Sequence, residues 1–160
     1  IEEMAKTANK NKLELLIENE RNTYAEDIST CERLIENEKN VYILYDIENA
    51  YSRGYNVLEE YEKNKSKIKY IHIRDYNEKT KKYVYFGEGT IPILELLKRL
   101  KRDNYDGIIS LETMLPKYNK NESKKDIFVK SYASLMSIKN MEEWNESSIL
   151  WYNRKFSKRY

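Results

Sequence analysis

The sequence predicts a parallel α/β fold, and three observations carry that reading. Short apolar runs alternate strictly with segments of helical periodicity, in the order α-β-α-β-α-β-α-β-α. One run, 41–46 (VYILYD), is almost continuously apolar, the pattern of a strand buried on both faces. The polar residues that end the runs, Glu18, Asp46, His72 and Glu112, recur 28, 26 and 40 residues apart. These are the lengths of successive β/α units, the last stretched by a polar excursion over 75–90. Right-handed crossovers then put every strand's C-terminal end on one edge of the sheet.

Each element has a local reason. After Ile1, Met4, Ala5 and Ala8 fall at helical spacing within residues 2–10. Residues 12–18 (KLELLIE) read as a strand that stops at Glu18, before the polar run 19–22. Thr23 and Glu26 have capping-box spacing, and Ile28, Cys31, Leu34 and Ile35 share one helical face. The strand 41–46 follows, and Asn56 is placed to cap a helix that turns Val57, Leu58 and Tyr61 inward. Residues 68–75 (IKYIHIRD) hold the only histidine. Alternation sets Ile71 and Ile73 on one face and Tyr70, His72 and Arg74 on the other.

In the excursion, residues 83–86 supply half of a hairpin, closed by Gly87 and Gly89. Thr90 and Pro92 start a helix whose Ile93, Leu96, Leu97 and Leu100 form an i, i+3, i+4, i+7 stripe. Asn104 and Gly107 end it. Residues 108–112 (IISLE) are the fourth strand, and Phe128, Tyr132 and Leu135 mark a last helix over 123–138.

Composition narrows the function classes. A chain of 160 residues is one domain or part of one, read here as a body over 1–138 and a C-terminal helix or tail over 139–160. Charged residues are 35% of the chain yet sum to only +2, too balanced for a dedicated polyanion binder. The single cysteine, Cys31, excludes an internal disulfide and fits a reducing, cytoplasmic compartment. No apolar run is long enough to span a membrane. The chain starts at Ile1, not Met, which suggests the later part of something longer or a processed product.

Glu18, Asp46, His72 and Glu112 therefore meet at one rim, the edge where the catalytic groups of parallel α/β barrels gather. Three carboxylates and an imidazole at one place repel unless a cation neutralises them. Three oxygens and one nitrogen suit a divalent ion, with Mn²⁺ favoured over Mg²⁺, Co²⁺ or Zn²⁺. Three weaker signals remain. The Gly87–Gly89 turn is read as a tight turn in preference to a phosphate cradle. Lys117, Lys120, Lys124 and Lys125 are read as a solvated run rather than a sugar-phosphate site. Trp144, Trp151 and Tyr152 near the basic end are read as packing, with nucleic-acid stacking as the alternative.

The motifs LLIEN (15–19), YDIEN (45–49), YIHIRD (70–75), GEGTI (87–91) and YDGIISLE (105–112) together resemble the xylose isomerase-like barrels, the superfamily of sugar-phosphate isomerases and epimerases. The resemblance covers about residues 5–115 and matches the fifth to eighth β/α units. It implies the C-terminal half of a TIM (β/α)8 barrel, the N-terminal half being absent. It further implies that Glu18, Asp46, His72 and Glu112 bind a divalent metal, that Glu18 and Glu112 exchange a substrate proton, and that Asn49, where relatives carry a His or Asn in contact with substrate or metal, is a substrate-binding residue. The expected reaction is isomerisation or epimerisation of a sugar, sugar phosphate or related keto-polyol, by proton transfer next to a carbonyl through a metal-stabilised enediolate. The chain departs from its relatives in two places: 76–86 has only Lys79, Lys81 and Lys82 as cations, and Glu20 stands where several relatives carry His.

Two other readings remain. One is an apurinic endonuclease-like metal hydrolase on the same barrel, against which a single histidine counts. The other is a half barrel without turnover. Four strands curved for an eight-stranded barrel leave open edges and a bare inner face. Such a unit is expected to pair with a second copy or with an N-terminal half.

Overall fold

The computed structural model describes residues 1–112, 114–115 and 121–142. Its frame is a four-stranded parallel sheet of β1 (Leu15–Glu18), β2 (Val41–Asp46), β3 (Ile68–Ile73) and β6 (Ile108–Leu111), in that spatial order. Helices α1 (Glu2–Lys10), α2 (Ile28–Ile35), α3 (Ile47–Ser52), α4 (Val57–Asn64) and α5 (Ile93–Arg102) separate the strands. A two-stranded antiparallel hairpin, β4 (Asp75–Asn77) and β5 (Lys82–Val84), leaves the end of β3. A last helix, α6 (Lys124–Glu142), follows β6.

Side-chain alternation divides the sheet into two unlike faces. Val41, Ile43 and Tyr45 of β2, Ile71 and Ile73 of β3, and Ile109 and Leu111 of β6 are buried among the helices. The buried faces of α2 (Ile28, Cys31, Ile35) and α5 (Ile93, Leu96, Leu97, Leu100) belong to the same core. Tyr45 keeps its hydroxyl satisfied there by donating to the Val57 carbonyl at 3.2 Å. On the opposite face Leu16, Tyr42, Leu44, Tyr70 and Ile108 are only half-buried.

Several local expectations meet a different outcome. Thr23 does not cap α2. Its hydroxyl donates to the Glu20 carbonyl and accepts from Ala25 N–H within a turn. The cap is Asp27, four residues on, whose carboxylate accepts from Thr30 N–H at 2.8 Å. Helix α3, absent from the sequence reading, starts directly on β2 because the Asp46 side chain caps it. Thr90 does not cap α5 but fastens the hairpin, donating to the Tyr76 carbonyl and accepting from Glu78 N–H. The hairpin strand covers Lys82–Val84 and pairs with Asp75–Asn77. On α6 the buried face is Ile127, Ser131 and Leu135, whereas Phe128 and Tyr132 are exposed and stack on each other. Asn56 caps α4 as expected, accepting from Leu58 and Glu59 N–H.

Lys117, Lys120, Trp144, Trp151 and Tyr152, with most of the expected tail over 139–160, lie outside the described residues.

Candidate metal centre

The strand ends deliver the four expected residues to one rim. Glu18 and Asp46 are the last residues of β1 and β2, His72 is next to last in β3, and Glu112 follows β6. Register places Asp46 directly opposite His72. A buried clamp sets the height of β1 against β2: the Asn19 amide accepts from Asp46 N–H at 2.7 Å and donates to the Asp46 carbonyl at 2.9 Å.

Asp46 is fully buried. Its Oδ1 accepts from Glu48 N–H at 3.0 Å and Asn49 N–H at 2.9 Å, capping α3. Its Oδ2 makes no hydrogen bond and only faces the Arg74 guanidinium at 2.8 Å. Burial pushes the Asp46 carboxyl up to about 7, against the pull of Arg74 and the Asn49 N–H. His72 Nδ1 lies 3.2 Å from Glu18 Oε1 and 3.7 Å from Glu112 Oε2. Burial works against its imidazolium, but Glu18, Glu112 and Asp46 outweigh it, so its pKa is raised.

Glu18, Asp46 and His72 each offer one ligand atom, and these atoms lie within 4.8 Å of one another. One ion with bonds of about 2.0–2.6 Å can reach all three. Glu112 falls outside that group. It is held instead by Arg74, whose Nη1 donates to Glu112 Oε2 at 3.0 Å.

Arg74 is the residue the sequence reading placed on the correct face but gave no role. It also lies 3.0 Å from the fully buried Glu48 carboxylate and donates from Nη2 to Asn49 Oδ1 at 2.8 Å. Glu48 in turn accepts from Arg21 and, at 3.2 Å, from the Tyr83 hydroxyl of the hairpin. Asn49 is fully buried too. Its amide oxygen is taken by Arg74, and its Nδ2 has no partner among the described residues. Alternation could have flagged Arg74, two residues after His72 on the same face. Nothing local could have flagged Glu48 or Arg21, because their meeting joins the turn after β1 to the first turn of α3, 27 residues on.

The residues fit a divalent cation. Four carboxyl groups (Glu18, Asp46, Glu48, Glu112) gather around two guanidiniums (Arg21, Arg74) and His72, an acid-rich set that suits a cation. The buried Asp46 Oδ2 has the Arg74 guanidinium as its counter-charge at 2.8 Å.

The glycine turn, by contrast, offers nothing to a phosphate. Asp75 Oδ2 accepts the N–H of Gly87 and of Gly89, both at 2.9 Å, so the turn is satisfied internally. A side chain at position 89 would collide with that same carboxylate, which is why glycine is needed there.

The model of the family described as "Xylose isomerase-like TIM barrel" matches residues 1–135. An uncharacterised protein of Methanocaldococcus jannaschii, MJ1311, is 32% identical over 104 residues, which are 63% of this chain and 34% of that protein. Among solved structures, a D-tagatose 3-epimerase-like protein superposes with a TM-score of 0.68 at 27% identity, over 89% of this chain and 52% of its own. The probable 3-DHS dehydratase AsbF of Bacillus anthracis, involved in petrobactin synthesis, superposes with a TM-score of 0.70 at 16% identity, over 84% and 53%. The chain thus spans about a third of the curated relative and about half of each solved structure. Its parallel β/α units are the C-terminal half of a TIM (β/α)8 barrel. With its strand order, its rim of acidic residues around one histidine and the matched family model, the chain belongs to the xylose isomerase-like TIM barrel family.

Proposed function

We propose that this chain carries the metal-binding half of an isomerase or epimerase acting on a sugar, a sugar phosphate or a related keto-polyol. The observation that carries the reading is the group Glu18, Asp46 and His72 at one rim, whose ligand atoms lie within 4.8 Å of one another. The likeness to a D-tagatose 3-epimerase-like protein at 27% identity supports the substrate class.

In this reading Glu18, Asp46 and His72 hold a divalent ion, Mn²⁺ before Mg²⁺, Co²⁺ or Zn²⁺, with Glu112 at its side. Such an ion, when bound, supplies Lewis-acid polarisation of a substrate carbonyl and its neighbouring hydroxyl. The chain's own residues move the proton. One of Glu18 and Glu112 removes it from the carbon next to the carbonyl. The other returns a proton, to the opposite face of that carbon for epimerisation or to the adjacent carbon for isomerisation. Both carboxylates reach the same His72 nitrogen, so they flank one small volume. Asn49 Nδ2, which has no partner among the described residues, is the donor assigned to a substrate oxygen.

The half-buried face of Leu16, Tyr42, Leu44, Tyr70 and Ile108 is the inner wall of this half barrel, and it needs a matching set of strands. We assign that role to a second four-strand unit, from another copy of the chain or from an N-terminal half. The chemistry is tested with ketoses and their phosphates in D₂O with Mn²⁺, in the assembled protein. Deuterium at the carbon next to the carbonyl, lost in Glu18→Gln and in Glu112→Gln, is expected. No incorporation into any ketose rejects the reaction class.

A further inference from the structure

Glu48 is the one carboxylate of the rim that the proton-transfer chemistry leaves without a role. It is fully buried in the first turn of α3, and a carboxylate there is costly unless it is paired. Its partners come from three other parts of the fold: Arg21 from the turn after β1, Arg74 from just past the end of β3 at 3.0 Å, and the Tyr83 hydroxyl of the hairpin at 3.2 Å. The sheet order sets β3 between β2 and β6, so a side chain at the end of β3 can reach carboxylates on both sides. Arg74 does so. Its guanidinium lies 2.8 Å from Asp46 Oδ2 and 3.0 Å from Glu112 Oε2, and its side chain is only 9% exposed. A planar fork that serves two anions works in one orientation only. Glu48, facing the Nε edge of the fork, holds that orientation.

We propose that Glu48 is a positioning residue of the metal centre: through Arg74 it keeps the Asp46 and Glu112 carboxylates together at the rim before an ion arrives. The inference rests on the metal-dependent reading above and adds to it a residue that does not touch the ion. Its physical sense is repulsion. Two carboxylates brought to one rim push each other apart, and regathering them when the ion binds weakens its affinity. A bridging guanidinium removes the repulsion, but an arginine on a free stem samples many rotamers. A buried carboxylate that is itself tied to Arg21 and Tyr83 takes that freedom away.

The test is Mn²⁺ binding by the full chain, followed through the electron paramagnetic resonance signal of free Mn²⁺, with thermal melts of every variant. Glu48→Gln removes the charge and keeps the shape. Glu48→Asp keeps the charge and draws it back from Arg74 by one methylene. Both are expected to weaken Mn²⁺ binding by about 10-fold or more, the effect of losing a group that orients a metal ligand. A carboxylate acting through its charge alone would leave Glu48→Asp at the wild-type affinity. One that only supports the fold would lower the melting temperature without moving the dissociation constant of the folded protein. Either result overturns the positioning role and leaves the metal-dependent function standing. If neither variant folds, Tyr83→Phe changes no charge, removes one hydrogen bond that holds Glu48, and is expected to weaken Mn²⁺ binding by about threefold. An unchanged affinity in Tyr83→Phe then overturns the proposal. A wild-type chain that binds no Mn²⁺ overturns both the proposal and the metal-dependent reading.

Discussion

At the scale of the residue, the site is legible in the sequence as a list but not as a set of partners. Strand alternation and the polar ends of apolar runs are enough to bring Glu18, Asp46 and His72 to one rim. They do not show that Arg74 holds Glu112, nor that the Asn19 amide pins both main-chain groups of Asp46, since those contacts join residues 27 to 38 positions apart. Removing the Asn19 amide should therefore be costly. Asn19→Ala leaves the buried Asp46 N–H without its partner and is expected to lose about 1–3 kcal/mol in urea unfolding, the cost of an orphaned buried group.

Cys31 makes a second prediction at this scale. It is fully buried, and burial with the nearby Asp27 and Glu18 charges pushes its thiol up to about 12. Only the thiolate attacks an alkylating reagent. Native protein at pH 8 should therefore resist thiol reagents and become reactive on denaturation, as thiol titration with and without urea will show.

At the scale of the element, apolar periodicity located the strands and helices, while their ends depended on chemistry the pattern does not fix. The Thr23–Glu26 spacing imitates a capping box, but the chain turns once more and Asp27 takes the helix end. The Ser29 hydroxyl and the Thr30 N–H hold the Asp27 carboxyl below its ordinary 3.8. A depressed carboxyl contributes stability above its unfolded pKa and loses it as pH falls through the folded one. Asp27→Ala should thus cost about 1 kcal/mol at neutral pH, the usual worth of an N-cap. The difference from wild type should shrink as pH drops below the ordinary carboxylate range, in thermal melts run across pH. The hairpin escaped a clear sequence reading because its two strands are three residues each and their partner choice rests on Asp75. Gly89→Ala, which drives a methyl into that carboxylate, is expected to lower the melting temperature. Gly54→Ala meets no atom within contact distance but sits at φ +87°, so any loss there reports backbone strain and not a collision.

At the scale of the whole molecule, alternating β/α units specified a parallel sheet, and the structure has one; the strand expected to be buried on both faces, β2, has Tyr42 and Leu44 only half-buried on the face away from the helices. Parallel sheets are stable when both faces are covered. The open face here carries both the apolar strip of Leu16, Tyr42, Leu44, Tyr70 and Ile108 and, at its rim, the acidic group. Assembly and metal binding are therefore neighbours in space. Leu44→Glu puts a charge in the middle of that strip without touching the rim. If a second copy covers the face, sedimentation of the wild-type chain will give twice the 19.3 kDa chain mass, and Leu44→Glu will return it to the monomer. Identical sedimentation of the two proteins would exclude the second copy as the cover.

The central claim is that side chains from β1, β2 and β3 share one cation, and metal content tests it most directly. Wild type and His72→Ala are dialysed against the same Mn²⁺ buffer and assayed for bound metal, with circular dichroism to show that both are folded. Mn²⁺ retained by wild type and lost from His72→Ala is the predicted result. Equal metal in the two folded proteins would contradict it.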